Sequence, residues 1–412
     1  MNGLIRDKSL LHNFSYLTVL YAFNLLIPLF TYPYLIRVLG KETYGLVIYA
    51  QAIINYFAIL VSFGFNISAT KEISIHRENK EKLSEIVSSV LIIKGYLFII
   101  SLVSLAILLF FIPQSKGNEA LFLLSMTACL NEVLFPIWYF QGIEKMKYWT
   151  QITVISRLIF LIFIFFLIHG PKDYLYVPII YGIGYLISGS MSLYIIFYKH
   201  KIKFQLQSFR SLKFYFKNSV SLFISNISAN LYSSTNKIII GLFLGLGEVA
   251  YYDIAEKITT LLKLPQVIIN QTVFPKISKE KNIKFIKRVF NSSIFLNILL
   301  IFIVILFSKN IITILGGASM LPAAVVVNIL ILTVFLSTLS NVFGIQILIS
   351  FGYNRVFNNV ILTSSLFYFF LLFTIWLISS FTIINITIST VATEMFMGSY
   401  MFYYTKKYKI WL

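Results

Sequence analysis

The chain has 412 residues, of which 58% are apolar and 12% charged, and its mean hydropathy is +0.84. Because soluble domains carry about a quarter charged residues, this composition excludes a soluble globular protein and predicts an all-α, polytopic membrane protein. The continuous apolar runs lack the alternation that a membrane-spanning β-barrel requires. The single cysteine, Cys129, excludes an intramolecular disulfide and a cysteine-built metal site, and the sequence indicates no cofactor and no metal.

Twelve stretches have the length and composition of transmembrane helices, which need about 20 residues each. They cover roughly residues 13–36, 45–67, 85–112, 119–140, 149–169, 174–198, 215–243, 248–272, 285–307, 322–347, 357–379 and 381–404. We predict an N-terminal six-helix bundle over 1–198, a basic cytoplasmic linker over 199–214 and a C-terminal six-helix bundle over 215–412. Pro28 and Pro33 lie in the first span, so we expect a bend there.

The basic residues predict how the chain sits in the membrane. Of the 34 Lys and Arg residues, 24 lie at the termini and in alternate loops, 5 in the other loops and 5 within spans. Because Lys and Arg accumulate on the cytoplasmic side, both termini are predicted to be cytoplasmic. The same distribution accounts for the net charge of +19, so nucleic acid is not an expected partner.

The basic region 199–217 contains six Lys and Arg residues with interleaved phenylalanines. It is compatible with two interpretations. One is a solvated connector between the two bundles, and the other is an amphipathic helix that lies on anionic lipid.

The two halves of the chain resemble each other. Gly142 ends the fourth span before a short charged loop, and Gly352 holds the same place 210 residues later. Leu39-Gly40 likewise matches Leu244-Gly245 at an offset of 205 residues. Six spans per half predict a parallel repeat, in which two bundles enclose a central cavity that opens to either side of the membrane.

Three segments resemble a known family. They are Pro28 to Gly40 followed by Tyr44-Gly45, Pro136 to Lys147 (PIWYFQGIEKMK), and Thr235 to Ile238 with Gly241 and Leu244-Gly245. These segments resemble the first-, fourth- and seventh-helix signatures of Wzx-type O-antigen flippases, in the polysaccharide transporter branch of the MOP superfamily. Within them, the structural motif residues are Pro28, Pro33, Gly40, Gln141 and Gly142. Many relatives have Asp where Asn236 stands.

The resemblance implies a function and partners. Such proteins move undecaprenyl-diphosphate-linked oligosaccharide repeat units from the cytoplasmic to the outer leaflet of a bacterial inner membrane. Membrane lipid, a polysaccharide polymerase and a chain-length regulator are the implied partners. The repeat, the bent first helix and the cations inside the spans favour alternating access around a cationic cavity.

Ionisable residues at membrane depth are costly and usually functional. We predict that a substrate cavity is lined by Lys94, Glu132, Arg157, Lys237 and Glu256, and that Asp253, Glu256 and Glu394 are candidates for ion coupling. Glu394 has no evident partner in the sequence. The numerous Tyr and Phe are expected to face lipid or to pack between helices rather than to stack on sugars.

Structural alternatives stay open for several of these charges. Lys94 and Arg157 can form structural ion pairs with Glu132 or another acid. Asp253 and Lys257 are spaced for a pair within one helix. Lys237 can extend alone to the membrane surface.

Other functions are less favoured by the sequence. A multidrug or cation antiporter of the same superfamily would need acidic cavities. Inside these spans, however, basic residues are about as numerous as acidic ones. A lipid II flippase usually has fourteen spans. A membrane-bound polysaccharide polymerase would need a large outer loop, and the predicted outer loops are short, so we expect a transporter rather than an enzyme. No pore loop of a channel is visible.

Overall fold

The computed structural model describes residues 8–378 and 381–411, and these contain helices and short connections but no β-strand. The predicted all-α class is therefore confirmed. The helices are α1 (Lys8–Ser62), α2 (Phe65–Ile75), α3 (Lys80–Leu109), α4 (Glu119–Ser125), α5 (Thr127–Leu134), α6 (Ile137–Gly142), α7 (Met146–Leu167), α8 (Tyr176–Tyr194), α9 (Phe209–Phe243), α10 (Leu246–Glu280), α11 (Ile283–Gly316), α12 (Ala323–Leu330), α13 (Leu332–Leu339), α14 (Asn354–Leu377) and α15 (Ile383–Lys407). Helices α8 and α13 each continue as a π-helix, Ile195–Lys199 and Ser340–Ile349.

Several helices are long and apolar enough to cross a membrane. Within the described residues, length and composition alone identify eight such stretches, and one of them, Leu26–Ile75, covers the second predicted span and the latter part of the first. Three helices that were predicted as spans, α9, α10 and α15, are outside this set. Helices α10 and α15 carry many polar and charged side chains. The polytopic membrane fold is confirmed, and the number of twelve spans stays a prediction.

The chain packs as two compact units. The N-terminal unit extends to Ile227 and the C-terminal unit begins at Ser228, so the residues of α9 are divided between them. The predicted division into two six-helix bundles, with the linker at 199–214, stays a prediction.

Helix α1 is interrupted at Gly40. Its φ of 74° and ψ of 162° lie outside the helical region, in a conformation that glycine adopts readily and other residues do not. Pro28 and Pro33 lie in the helical part before it. The interruption separates two helical rods, which correspond to the first two predicted spans.

The fourth predicted span is a broken helix made of α4, α5 and α6. Its backbone leaves the helical conformation at Pro136, where ψ is 77°. Gly142 then ends α6 in close contact with α2, because a Cβ at this position would lie 2.6 Å from Ile73 Cβ and 3.0 Å from the Thr70 carbonyl oxygen. Thr70 Oγ1 also donates a hydrogen bond of 3.4 Å to Gln141 Oε1. The Gln-Gly motif thus fixes α6 against α2.

The linker between α8 and α9 is not a helix from residue 201 to residue 208. Its backbone amides at Lys203 and Gln205 donate hydrogen bonds of 3.1 and 3.0 Å to Ser84 Oγ and Ser88 Oγ of α3. The interpretation of an amphipathic helix over 199–217 is therefore wrong for this part, since the backbone is bonded to another helix and α9 begins only at Phe209.

We expect Gly142→Ala to lower the free energy of unfolding by about 1–3 kcal/mol, the usual cost of overpacking. The added methyl group would collide with Ile73 of α2. Thermal unfolding of the purified protein measures this effect.

Gly170→Ala is the matched control, because a Cβ at Gly170 meets nothing within 4 Å. Equal melting temperatures for the two variants would contradict the close packing of α6 on α2.

Candidate functional site

A cavity of about 520 Å³ lies inside the N-terminal unit, with lining residues from α1, α5, α7 and α8. Its walls combine aromatic rings, amides and hydroxyl groups, and Arg157 is the one charged side chain in the described lining. The aromatic residues are Tyr32, Phe135, Trp149, Phe160, Tyr181 and Tyr185, and the amides are Gln51, Asn55 and Asn131. Three of these rings, Phe160, Tyr181 and Tyr185, stack on one another, and the expectation that Tyr and Phe pack or face lipid rather than stack on sugars stays a prediction.

Close packing of α7 on α8 positions Arg157. Ser156 Oγ donates a hydrogen bond of 2.8 Å to the Gly184 carbonyl oxygen. A Cβ on Gly184 would lie 2.8 Å from Ser156 Oγ, so a residue without a side chain is needed there. This contact holds the adjacent Arg157 at the cavity wall.

Within the part of the chain that the structure describes, Arg157 forms no ion pair with an acid. Among the described residues, no carboxylate lies within 4.0 Å of its guanidinium group. A guanidinium group is charged at any physiological pH and donates hydrogen bonds in a fixed, forked geometry that suits carboxylates and phosphates. The arrangement can therefore bind an anion.

Lys94 and Glu132 form the ion pair that was the structural alternative. Lys94 is 1% exposed, and its Nζ lies 2.8 Å from the Glu132 carbonyl oxygen and 3.5 Å from Glu132 Oε2. Neither residue is among those that line the cavity. Contact of either residue with a substrate stays a prediction.

In the C-terminal unit, Lys237 lies between two carboxylates. Its Nζ is 3.0 Å from Asp253 Oδ1 and 2.6 Å from Glu256 Oε2. Lys237 is therefore paired by two carboxylates of α10, and its extension to the membrane surface stays a prediction.

The predicted pair within α10 completes this cluster. Lys257 Nζ lies 2.5 Å from Asp253 Oδ2, so Asp253, which is 1% exposed, bridges two lysines. We call Lys237, Asp253, Glu256 and Lys257 the charged quartet. Its two positive and two negative charges balance, as buried charges require. Within the described residues, no group of three or more His, Cys, Asp or Glu side chains could hold a metal ion.

Asn236 is buried in a neutral hydrogen-bonded cluster. Its Nδ2 lies 2.6 Å from Tyr252 Oη and 2.9 Å from Thr390 Oγ1. Tyr368 Oη donates to Asn236 Oδ1 over 2.5 Å. No pattern in the sequence points to Tyr252, Tyr368 and Thr390, since each is a single polar residue on a different helix and no spacing links them.

Glu394 has a partner that the sequence analysis did not find. Glu394 Oε1 lies 4.0 Å from Lys263 Nζ, and Oε2 is buried without a hydrogen-bond partner among the described residues. The carboxylate is therefore held only loosely, in contrast to the charged quartet.

A group of buried amides was also missed. Asn270 Oδ1 accepts hydrogen bonds of 3.3 Å from Gln266 Nε2 and 2.5 Å from Gln346 Nε2, and Asn270 Nδ2 donates to Asn341 Oδ1 over 2.5 Å. The spacing of Gln266 and Asn270, four residues apart on α10, is the one signal that the sequence offers for this group.

Comparison with known sequences gives two findings. Residues 10–281 match the family model described as polysaccharide biosynthesis protein. An Escherichia coli K12 protein described as a candidate O-antigen transporter is 28% identical over 408 residues, which cover 98% of each chain.

Comparison with solved structures supports the fold. The lipid II flippase MurJ in an inward closed conformation has a TM-score of 0.75 at 16% identity, covering 94% of this chain and 87% of MurJ. An inward-facing multidrug resistance transporter of the MATE family, in the MOP superfamily, has a TM-score of 0.74 at 12% identity, covering 93% and 94%. At these identities the similarity shows the fold alone. The family model, by contrast, spans more than half of the chain, so this protein belongs to the polysaccharide biosynthesis protein family, and its resemblance to the Wzx-type flippases of the MOP superfamily is confirmed.

Proposed function

We propose that the protein is a flippase for lipid-linked oligosaccharides and that Arg157 binds the diphosphate of the lipid carrier. The family and the relative described as an O-antigen transporter support the transport of a glycan. The observation that carries the assignment is the cationic cavity of the N-terminal unit, in which Arg157 is the one charged side chain of the described lining.

The physical task explains why such a cavity is needed. Moving an isolated anion from water into a medium as apolar as hydrocarbon costs on the order of 20 kcal/mol before relaxation. A glycan adds many hydroxyl groups, each of which loses its hydrogen bonds to water. A cavity that offers a guanidinium group, amides and hydroxyl groups replaces both kinds of interaction and lowers the barrier.

The same cavity argues against the antiporter that the sequence analysis left open. Recognition of an organic cation needs a negative or an electron-rich site without a competing positive charge. No Asp or Glu is among the described lining residues, and Arg157 would repel a cation.

The finer features of the function are part of the proposal. The carrier is undecaprenyl diphosphate, the direction is from the cytoplasmic to the outer leaflet of a bacterial inner membrane, and transport proceeds by alternating access. The glycan is an O-antigen or a capsule repeat unit, delivered to a polysaccharide polymerase and a chain-length regulator. Both termini are cytoplasmic, and the protein transports without catalysing a reaction.

We expect Arg157→Gln to reduce transport about ten- to a hundredfold, because a hydrogen bond to a charged group contributes roughly 1.5–3 kcal/mol. In a deletion strain that carries the variant, surface polysaccharide should fall while lipid-linked oligosaccharide accumulates in the membrane. The amount of folded protein should stay normal, since no acid within ion-pair distance loses its partner.

A matched pair of variants separates binding from folding. Lys94→Met should lower the amount of folded protein, because Glu132 then loses its partner. The double variant with Lys94→Met and Glu132→Gln should regain the amount of folded protein, and its transport then tests the predicted contact of Lys94 or Glu132 with the substrate. Normal surface glycan in the Arg157→Gln strain would refute the assignment of the diphosphate site.

We place ion coupling, if transport uses an ion gradient, at Glu394 rather than at Asp253. Asp253 is held by two lysines at 2.5 and 3.0 Å, whereas the nearest lysine to Glu394 is 4.0 Å away. A carboxylate with loose pairing can exchange a proton or a cation at a lower cost than one at the centre of a balanced ion network.

For Glu394→Gln, we expect transport in inside-out vesicles to lose its response to an imposed pH gradient while downhill exchange of glycolipid continues. Asp253→Asn is the comparison, and it should mainly reduce the amount of folded protein, because Lys257 loses its ion pair with Asp253 and Lys237 loses one of its two carboxylates. An unchanged response to the gradient in Glu394→Gln would remove Glu394 from the coupling mechanism.

The proposed orientation can be tested with single cysteines. In a Cys129→Ala background, Lys145→Cys and Lys172→Cys each place a thiol at an exposed position in a connection between helices. A membrane-impermeant maleimide added to cells with a permeable outer membrane should label Lys172→Cys only, because residue 145 is predicted to be cytoplasmic. Labelling of Lys145→Cys alone would reverse the orientation.

A further inference from the structure

We propose that one end of the C-terminal unit is a binding surface for anionic phospholipid. The end is formed by the connection between α10 and α11, the start of α14 and the residues around the end of α15. The ten Lys and Arg residues at positions 276–288, 355 and 406–409 lie there, and we call them the basic surface. The proposal depends neither on the cargo nor on Arg157, so it can be tested separately from the proposed function.

Two aromatic contacts join the three segments, which are distant in the sequence. Tyr353, just before α14, stacks on Tyr408, just after α15, with a centroid distance of 4.2 Å. Trp411 packs edge-on against Phe290 of α11 at 5.6 Å. The last residues of the described chain therefore lie against both other segments, and the cations of all three are gathered at one end of the unit.

The basic surface carries a large surplus of positive charge. Its three segments contain ten cations and one acid, Glu280. Nine of the cations are exposed, and within the part of the chain that the structure describes none of these nine has a carboxylate within 4.0 Å. Like charges at this density repel one another, so an anionic ligand stabilises the surface.

Several of the cations lie at the ends of apolar helices. Lys284, Lys287 and Arg288 are in the first two turns of α11, and Arg355 is in the first turn of α14. Both helices are long and apolar enough to cross a membrane. Because the end of such a helix lies at the level of the lipid headgroups, each cation there strengthens attachment to an anionic bilayer surface about fivefold.

Aromatic rings beside the cations favour lipid over a soluble acidic partner. Lys287 Nζ lies 5.3 Å from the ring centroid of Trp411, and Lys406 Nζ lies 5.1 Å from that of Phe402. The ring face attracts the ammonium group, which has three donors and can still bind a phosphate oxygen. Aromatic residues of this kind are typical of the membrane–water interface. Cations and rings together match a charged headgroup with apolar chains below it.

Tryptophan fluorescence tests the proposal, because Trp411 lies within the basic surface. The purified full-length protein is placed in phosphatidylcholine nanodiscs with increasing amounts of bromine-labelled phosphatidylglycerol or bromine-labelled phosphatidylcholine. The Trp411 signal is the difference between the protein and its Trp411→Phe variant, and bromine quenches it on contact. We expect phosphatidylglycerol to quench this signal at about a tenfold lower lipid fraction than phosphatidylcholine.

Trp376 gives an internal control. It is 54% exposed near the opposite end of α14, and the chain has no Lys or Arg from residue 356 to residue 405. Its signal is obtained in the same way with Trp376→Phe, and the two labelled lipids should quench it equally.

A matched pair of double variants tests the position of the charge. Lys284→Gln with Arg288→Gln removes two cations of the basic surface and should abolish most of the preference for phosphatidylglycerol at Trp411. Lys203→Gln with Arg210→Gln removes the same charge from exposed positions of the N-terminal unit and should leave the preference unchanged.

Two results would overturn the proposal. One is equal quenching of Trp411 by the two lipids, which is expected if the surface binds an acidic protein instead. The other is a preference for phosphatidylglycerol that both double variants keep or both lose equally, because attraction would then come from the net charge of the protein and not from this surface. Neither result bears on Arg157 or on transport of the glycolipid.

Discussion

The interior of this protein is governed by the cost of removing charge from water. A buried ion costs several kcal/mol unless a partner and hydrogen bonds replace its hydration. Lys94 meets this requirement through Glu132, and Asp253 meets it through two lysines. Arg157 differs from these pairs, because its guanidinium group lines a cavity and forms no ion pair among the described residues. This cavity is therefore a place where an anionic ligand can supply a partner.

The two compact units use polar residues in different ways. In the N-terminal unit, amides, hydroxyl groups and one guanidinium group border an open space that can receive a ligand. In the C-terminal unit, the charged quartet and the cluster around Asn236 satisfy one another. Satisfied networks give a helix unit a defined packing, whereas polar groups that border a cavity can contact a ligand. We therefore assign recognition to the N-terminal unit and the looser Glu394 to ion coupling.

The sequence predicted well what depends on local spacing. The helical class and the pair of Asp253 with Lys257 follow from apolar runs and from helical periodicity, and the structure confirms both. Contacts between distant helices could be predicted only where few oppositely charged residues were available as partners, as for Lys94 and Glu132. Periodicity gives the face of one helix, but it does not give the helix that packs on that face. For this reason the partners of Lys237 and Glu394 could not be assigned. The linker was misread for the same reason, because its backbone is fixed by hydroxyl groups on α3, more than a hundred residues earlier.

The balance of the charged quartet has a consequence for how the family can diverge. Loss of Asp253, which is 1% exposed, removes an ion pair from both Lys237 and Lys257 and leaves two positive charges with one negative charge, so a change at the centre of this cluster favours a second, compensating substitution. The cavity wall around Arg157 is under no such restriction, since an amide, hydroxyl or aromatic group there can be exchanged without stranding a charge. Single mutations can therefore accumulate among the residues that line the cavity, whereas residues of the charged quartet tend to change together. A lineage with a new surface glycan could adapt this protein to its cargo through single substitutions at the cavity.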